Sequence, residues 1–562
     1  MRSKTLWLWL WLGTLSSTQV FALSAQDYAR NTKNGEAAVA SVNPIATQAG
    51  LDALANGGNA IDAAVAMAFT LGVVDSHNSG IGGGCFILVR KADGELIAID
   101  GREMAPAKAH RDMFIRDGKA VKELSKSGAL AIGVPGSVAA LHHLQKNAGK
   151  LKFEELILPA AKIAGSGFEI DPVMAKRLQR TEKSIRKYPA TAGIFLDVKG
   201  NAKKEGDLLI QKDLAKTYRL LAKHGPDYFY RGEFAKRLDK WMSGNSGVVT
   251  LKDFQNYQIK LRQPIQSQFQ SYTVVGFPPP SSGGAHVAQI LNILENFDLK
   301  KLTELERYHL IIEAMKLAFA DRAYWMGDAD FVNVPKGIIS PVYAKQLAEK
   351  ISLDAAANVL SHSTPPNMDD DLFTKHTTHI ASADKDGNWV AITTTLNTSF
   401  GSKVVIPGTG VLMNNQMDDF SAQPGVPNAF GLIGAEANAV DSGKRPLSSM
   451  SPTIVLKDGE PVFSVGAAGG PTIISQVLQV IVNKIGLGKT LEESLAAARV
   501  HHQWRPNTVY YDAFAPSVLV EGLEAFGHSM RVWPPFGATQ AIALEKGKFV
   551  AVTEPRLVQG RR

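Results

Sequence analysis

The sequence is poor in several features that would point to particular classes of protein. Its 562 residues contain one cysteine, so no disulfide can form within the chain. Beyond the first 22 residues no apolar run is long enough to span a bilayer, and no HExxH-type spacing suggests a metal site. The net charge of +8 is spread thinly and lacks interleaved aromatic residues, which argues against nucleic-acid binding.

The N-terminus has the pattern of a secretory signal. Arg2 and Lys4 precede a short apolar core at 6–15, and small residues follow at Val20 and Ala22. We therefore predict a signal peptide at 1–22, with Ala25 as a second position for cleavage. An uncleaved membrane anchor is the alternative. The mature protein is expected in the periplasm or outside the cell, without a stable membrane anchor.

The rest of the chain has the composition of a folded protein, with 45% hydrophobic and 20% charged residues. Asn43 and Pro44 are typical of a helix start, and a second helix at 60–71 is apolar nearly all round, which indicates burial. Strands are predicted at 85–91 and 96–103, and mostly helices at 135–350. Cys85 lies in the first of these strands and is expected in the core.

A hairpin rich in threonine is predicted at 380–397. Its two strands, at 380–384 and 389–397, flank the turn signal Asp386-Gly387. Antiparallel pairing would bring Thr377 near Thr395 and Asn397. The sequence alone leaves open whether these threonines take part in catalysis or are present only because threonine favours β-strands.

Two later segments suggest a binding site. Residues 423–445 are rich in Gly, Pro and Asn and predict a long loop, of the kind that often forms a lid. Gly469 and Gly470 end a predicted strand and open a helix at 472–485. The unpaired N–H groups of a helix start attract negative charge, so this turn is a candidate oxyanion hole.

Several segments together resemble γ-glutamyltranspeptidases: TTH at 377–379, TLNTSFG at 395–401, NNQMDDFS at 414–421 and GREMAPAKA at 101–109. The turn PPPSSGG and the segment ADR at 320–322 also match, and we assign both to structure. The resemblance implies an α+β fold of the N-terminal nucleophile hydrolase type, a four-layer αββα sandwich. It also implies self-cleavage between His376 and Thr377, giving a large subunit at 23–376 and a small one at 377–562, intertwined as one unit.

The same resemblance assigns roles to individual residues. It implies that Thr377 is the nucleophile, with Thr395 hydrogen-bonded to it, and that Gly469 and Gly470 hold the oxyanion. The α-ammonium group of the substrate would bind to Gln416 and Asp419. Its α-carboxylate would bind to Arg102, Asn397, Ser448 and Ser449. Arg suits a carboxylate because its planar fork donates two parallel hydrogen bonds.

Three positions depart from the family pattern. Phe430 stands where many bacterial relatives carry a lid tyrosine, so the lid lacks a hydroxyl that could reach Asn397. We expect a looser lid and more hydrolysis relative to transfer. Ala498 replaces a usual proline, and Glu554 replaces a usual aspartate. We interpret both as structural.

The implied activity is the cleavage of γ-glutamyl amides such as glutathione, with transfer to water or to the amine of an amino acid or peptide. Neither a metal nor an organic cofactor is required. An acylase of the same family that removes glutaryl groups from β-lactams is the nearest alternative, and Asp419 argues against it because a glutaryl group has no ammonium. A non-catalytic binding protein would be expected to lose Thr377 or the oxyanion glycines.

Overall fold

A computed structural model of the chain describes residues 28–366, 378–533 and 538–559. The predicted signal peptide at 1–22, and His376 and Thr377 at the predicted cut, lie outside the described residues.

The strands of the described residues follow the chain in this order: β1 Ala29–Asn31, β2 Ala37–Ala40, β3 Gly84–Arg90, β4 Leu96–Gly101, β5 Ile115–Arg116, β6 Lys119–Ala120, β7 Phe168–Glu169, β8 Leu208–Leu209, β9 Lys260–Arg262, β10 Ile265–Phe269, β11 Tyr272–Gly276, β12 His379–Asp384, β13 Trp389–Thr395, β14 Thr453–Lys457, β15 Glu460–Gly466, β16 Val500–His501, β17 Val509–Tyr511, β18 Met530–Val532, β19 Gln540–Glu545 and β20 Lys548–Val552.

Two large antiparallel sheets dominate the fold. The first has the strand order β1-β2-β12-β13-β3-β4-β9, and the second has the order β10-β11-β14-β15-β19-β20. Both sheets take strands from before and after the segment 367–377. A cut in that segment would therefore leave each sheet built from both pieces of the chain.

The α-helices of the described residues are α1 Pro44–Ala55, α2 Ala60–Val74, α3 Lys122–Lys126, α4 Ser137–Ala148, α5 Phe153–Ser166, α6 Pro172–Ile185, α7 Pro189–Phe195, α8 Lys212–His224, α9 Pro226–Tyr230, α10 Glu233–Gly244, α11 Leu251–Asn256, α12 Ser282–Leu294, α13 Glu304–Trp325, α14 Pro341–Ala348, α15 Thr472–Ile481, α16 Leu491–Ala496, α17 Ser517–Ala525 and α18 Pro555–Gln559.

Alternation along the strands distributes side chains between distinct hydrophobic cores. In β3, Ile87 and Val89 pack with α1, α2, α5 and α8, whereas Phe86 and Leu88 pack with residues of the second sheet. The rings of Phe86 and Phe277 stack across the two sheets with centroids 4.4 Å apart. A further core joins the second sheet to α12, α13 and α15. Because both faces of β3 are covered, its residues form a continuous apolar run.

Local predictions agree with the structure where turn and capping signals were strong. The side chain of Asn43 accepts a hydrogen bond from the Ile45 N–H and caps α1, and every residue of α2 is buried. Cys85 is buried, as predicted. Within 423–445 the structure has a single helical turn, at Glu436–Asn438, and otherwise irregular chain. Among the described residues, no helix combines the length and apolarity needed to cross a membrane.

Buried ion pairs hold the C-terminal region together. One of the residues in them is Glu554, which replaces the usual aspartate of the family. Glu554 accepts hydrogen bonds from Arg499 at 2.6 Å and from Arg556 at 3.1 Å. Arg556 also donates to Asp512 at 2.5 Å. The carbonyl of Ala498 accepts a hydrogen bond from the Tyr308 hydroxyl at 2.8 Å, a contact that uses no side chain at position 498.

We predict that Glu554→Ala destabilises the protein by about 3 kcal/mol or more, because it leaves Arg499 and Arg556 buried without their shared carboxylate. Urea unfolding measures the loss. The control is Asp227→Ala, which breaks the exposed ion pair to Arg231 and should cost at most about 1 kcal/mol. Equal losses in the two variants would contradict this account of the buried network.

Candidate active site

The end of the hairpin positions the threonines. In the β12–β13 register His379 is opposite Thr393, and the Thr394 N–H donates to the Thr378 carbonyl at 2.5 Å. Thr395 is buried, and its hydroxyl oxygen accepts a hydrogen bond from the Asn397 N–H at 2.7 Å.

Asn397 turns the chain away from β13. It adopts a φ of +80°, a left-handed conformation that asparagine tolerates better than most residues. Its amide donates to the Asn415 carbonyl at 2.9 Å. The side-chain oxygen of Asn397 is buried and has no hydrogen-bond partner among the described residues.

Arg102 and Asp419 meet in the interior although 317 residues separate them. Arg102 directly follows β4, and its Nη2 donates to the Oδ2 of Asp419 at 2.7 Å, with both side chains fully buried. Gln416 donates to the same oxygen at 2.7 Å. The Arg102 Nη1 lies 3.5 Å from the carboxylate of Glu103. A guanidinium and a carboxylate therefore stand side by side, as a zwitterionic ligand would require.

The neighbouring Asp418 has a different role. Its carboxylate accepts hydrogen bonds from the Ser125 hydroxyl at 2.6 Å and from the Ala429 N–H at 2.9 Å. Asp418 thus fixes the segment that carries Phe430, while Asp419 faces Arg102. The sequence could not distinguish these two adjacent acids.

Ser448 and Ser449 are fully buried beside two segments that the sequence analysis assigned to structure. The carbonyl of Ser448 accepts hydrogen bonds from the N–H of Ser282 at 3.0 Å and from its hydroxyl at 2.5 Å. Arg322 donates to the hydroxyl of Ser449 at 3.2 Å. The turn PPPSSGG and the ADR segment therefore hold the serine pair in place.

Gly469 and Gly470 precede α15 with φ values of +132° and +62°, which only glycine adopts without strain. Neither N–H donates a hydrogen bond to any described residue. The ring of Phe430 covers Gly470, since a Cβ placed on that glycine would lie 2.7 Å from the ring. Phe430 and the two glycines therefore lie side by side.

Glu103 adjoins Arg102, but the sequence analysis did not single it out. Burial raises the pKa of Glu103 to about 7, and the positive charge of Arg102 opposes that shift. Both carboxylate oxygens lack a hydrogen-bond partner among the described residues. At neutral pH this group is therefore partly protonated, and its charge depends on pH.

One cluster of potential metal ligands occurs among the described residues, at His309, Glu313 and His528. The two imidazoles hydrogen-bond to each other at 2.8 Å, and the other nitrogen of His309 bonds to the Ser352 carbonyl. Lys316 donates to Glu313 at 2.7 Å. A lysine cation on the acidic ligand disfavours a divalent ion there, so we interpret the cluster as an internal hydrogen-bond chain.

Comparisons with known proteins agree over most of the chain. The family profile described as gamma-glutamyltranspeptidase matches residues 46–561. The chain is 42% identical to the glutathione hydrolase proenzyme of Escherichia coli, with 92% of this chain and 90% of that protein covered. A cephalosporin acylase from Bacillus halodurans superposes with a TM-score of 0.85 at 29% identity, covering 96% and 98%. The γ-glutamyltranspeptidase of Helicobacter pylori superposes with a TM-score of 0.57 at 41% identity, covering 58% and 95%.

The pKa of Glu103 predicts a specific pH dependence of stability. The folded-state pKa of Glu103 lies above the ordinary value of 4.5. Its contribution to the free energy of unfolding is therefore complete below pH 4.5 and is lost as pH rises through about 7. Between pH 5 and pH 8 the free energy of unfolding of the wild type should fall by up to about 3 kcal/mol relative to that of Glu103→Gln, whose side chain stays neutral. Urea unfolding at both pH values measures the difference.

The matched control is Glu436→Gln. Its hydrogen bond from Arg111 lowers the pKa of Glu436, so the contribution of Glu436 is lost only as pH falls below the ordinary range. Between pH 5 and pH 8 the free energy of unfolding of this variant should change with pH as that of the wild type does. If Glu103→Gln also followed the wild type, the raised pKa of Glu103 would be refuted.

Proposed function

The chain belongs to the γ-glutamyltranspeptidase family and is an enzyme of the glutathione hydrolase type; we propose that it matures by cutting itself before Thr377 and then transfers γ-glutamyl groups through that threonine. The observation that carries the proposal is the buried Arg102–Asp419 pair at the end of the sheet that contains β13. It offers a cation and an anion to a substrate that has both an α-carboxylate and an α-ammonium group.

Maturation would begin with attack of the Thr377 hydroxyl on the carbonyl of His376. The acyl group moves from nitrogen to oxygen, giving an ester and a free α-amine on Thr377. Water then hydrolyses the ester and releases the new C-terminus at His376. The end of the β12–β13 hairpin supports this step, because Thr378, the residue after the proposed nucleophile, accepts a hydrogen bond from the Thr394 N–H, next to Thr395. The precursor has only a peptide N–H there and is inactive.

In the mature enzyme one residue would supply both nucleophile and base. The Thr377 hydroxyl attacks the γ-carbonyl of the donor, and the α-amine, whose pKa is ordinarily about 8, accepts the proton. The N–H groups of Gly469 and Gly470 stabilise the oxyanion. The leaving amine takes up the proton, and a γ-glutamyl ester remains on Thr377. Water then releases glutamate, or an amino acid or peptide amine forms a new γ-glutamyl amide.

The donor would be held at its charged end. Arg102 and Asn397 bind the α-carboxylate together with the serine pair at 448–449. Asp419 and Gln416 bind the α-ammonium. The arrangement is consistent with the buried polar atoms that have no hydrogen-bond partner among the described residues. They include the side-chain oxygens of Asn397 and Gln416 and the Arg102 Nη1, which lies 3.5 Å from the Glu103 carboxylate. No step in this scheme requires a metal or an organic cofactor.

The architecture we propose is the four-layer αββα sandwich of N-terminal nucleophile hydrolases. Its support is the core between the two sheets and the helical cores on their outer faces. A signal at 1–22 would direct the precursor to the periplasm or the exterior. The large subunit at 23–376 and the small subunit at 377–562 would stay together, since both sheets contain strands of each.

Glutaryl acylase activity is the second candidate, and the likeness to the cephalosporin acylase favours it. A glutaryl group has the carboxylate of a γ-glutamyl group but lacks its ammonium. The carboxylate of Asp419, already shared by Arg102 and Gln416, would have no cation to bind in such a substrate. This difference favours γ-glutamyl donors.

We predict that the purified wild type gives two bands on a denaturing gel, near 38 and 20 kDa by residue proportion of 60.5 kDa. It should also hydrolyse γ-glutamyl anilides faster than glutaryl anilides. Thr377→Ala should give one uncut band and no turnover, because it lacks the hydroxyl for both reactions.

Thr378→Ala serves as the matched control for that experiment. It removes the adjacent hydroxyl, for which the described residues provide no hydrogen-bond partner, and should still mature. Turnover by an uncut chain would overturn the mechanism. A preference of the wild type for the glutaryl anilide would overturn the substrate assignment.

The lid residue generates a separate prediction. Phe430→Tyr should lower the ratio of hydrolysis to transfer, because a hydroxyl on the lid could donate to the side-chain oxygen of Asn397, which has no hydrogen-bond partner among the described residues. The two rates are measured with γ-glutamyl anilide, with and without a dipeptide acceptor. Asn397→Ala should abolish the effect of Phe430→Tyr, and an unchanged ratio in Phe430→Tyr would refute the proposed contact.

A further inference from the structure

Arg322 is a buried cation at the wall of the proposed donor site. It lies in the last turn of α13 and is 3% exposed. Its Nε donates to the Ser282 hydroxyl at 2.9 Å, and its Nη2 donates to the Ser449 hydroxyl at 3.2 Å. With Asp419 it lines a cavity under the lid segment. The guanidinium thus contacts one of the serines proposed to bind the α-carboxylate.

The charge of Arg322 has no direct counterion among the described residues. None of their carboxylates lies within ion-pair distance of it. Burial lowers the pKa of Arg322 to about 10, and Asp419 is the acid that opposes the shift. Asp419, however, is in contact with Arg102 at 2.7 Å. A buried cation without its own anion is costly, and an anionic substrate group would reduce that cost.

The hydrogen bonds of Arg322 also set the direction of the serine hydroxyl. A hydroxyl has one proton and two lone pairs. Because the Ser449 oxygen accepts from Arg322, its proton has to be donated elsewhere. Ser282 follows the same rule, since it accepts from Arg322 and donates to the Ser448 carbonyl at 2.5 Å. The guanidinium therefore leaves Ser449 as a donor, which is the role that a carboxylate ligand needs.

We propose that Arg322 is a positioning residue for the α-carboxylate of the donor: it orients the Ser449 hydroxyl and supplies the positive potential behind the serine pair. This inference rests on the proposed function and deepens it. The simpler interpretation is that Arg322 only ties α13 to the loop at 448–449. The two interpretations differ in whether the effect of losing Arg322 depends on a carboxylate in the substrate.

The experiment compares three p-nitroanilides. The γ-glutamyl compound carries carboxylate and ammonium, the glutaryl compound carries only the carboxylate, and the 4-aminobutanoyl compound carries only the ammonium. Arg322→Gln should lower kcat/KM by roughly 10- to 100-fold for the two carboxylates, mainly through KM, because one charged donor to the carboxylate site is lost. The 4-aminobutanoyl compound should change by less than about 3-fold, within the context dependence of such contacts.

Two further variants separate positioning from structure. Ser281→Ala removes the bond from the Ser281 hydroxyl to the Met450 carbonyl in the same turn without touching Arg322. It should affect all three substrates by a similar factor. Arg322→Lys keeps the charge but not the planar fork, and should recover part of the preference for carboxylates.

A uniform loss across the three anilides in Arg322→Gln would overturn the proposal. If that variant fails to mature on a gel, the substrate preference of Arg322→Lys decides: a preference equal to that of the wild type overturns the proposal, and a reduced one supports it. A wild type that does not hydrolyse the γ-glutamyl anilide would instead refute the proposed function.

Discussion

The contact between Arg102 and Asp419 is the constraint on which the site depends. One partner follows β4, before the predicted cut, and the other lies in the turn at 416–419, after it. Two charges buried together need further polar contacts to offset their loss of hydration. Those contacts come from Gln416, which donates to the Asp419 carboxylate, and from the Pro446 carbonyl, which accepts from the Arg102 Nε at 3.3 Å. The backbone N–H of Arg102 donates to the carboxylate of Asp100.

Asp100 extends this constraint to a second part of the site. Its carboxylate contacts Arg445 and accepts a hydrogen bond from Arg262 at 2.7 Å. Burial alone would raise the pKa of Asp100, but these two cations lower it. Arg445 lies three residues before Ser448. The serine pair is thereby fixed to the end of β4, and so to Arg102.

The sequence predicted those features that local chemistry determines. The hairpin at 380–397 follows from its turn residues, and α1 follows from its Asn-Pro start. The resemblance identified Arg102 and Asp419, although nothing in the local pattern connects two residues 317 positions apart. Glu103 was not singled out and Arg322 was assigned to structure, because their burial beside partners that are distant in sequence appears only in the fold. The roles of Asp418 and Asp419 could not be distinguished for the same reason, since only the fold decides which of them faces Arg102.

The charges of the site have a chemical consequence for the substrate. Arg102 and Arg322 are both buried. Among the described residues, two acids contact Arg102: Asp419, which also accepts a hydrogen bond from Gln416, and Glu103. Glu103 adds a full negative charge only above pH 7 or so, because burial raises its pKa. At neutral pH the cations are therefore incompletely balanced. In the proposed donor site, the carboxylate of a substrate would supply the missing negative charge, and its ammonium group would bind near Asp419. The proposed preference for a zwitterionic γ-glutamyl end would then follow from the charge balance of the pocket as much as from its shape.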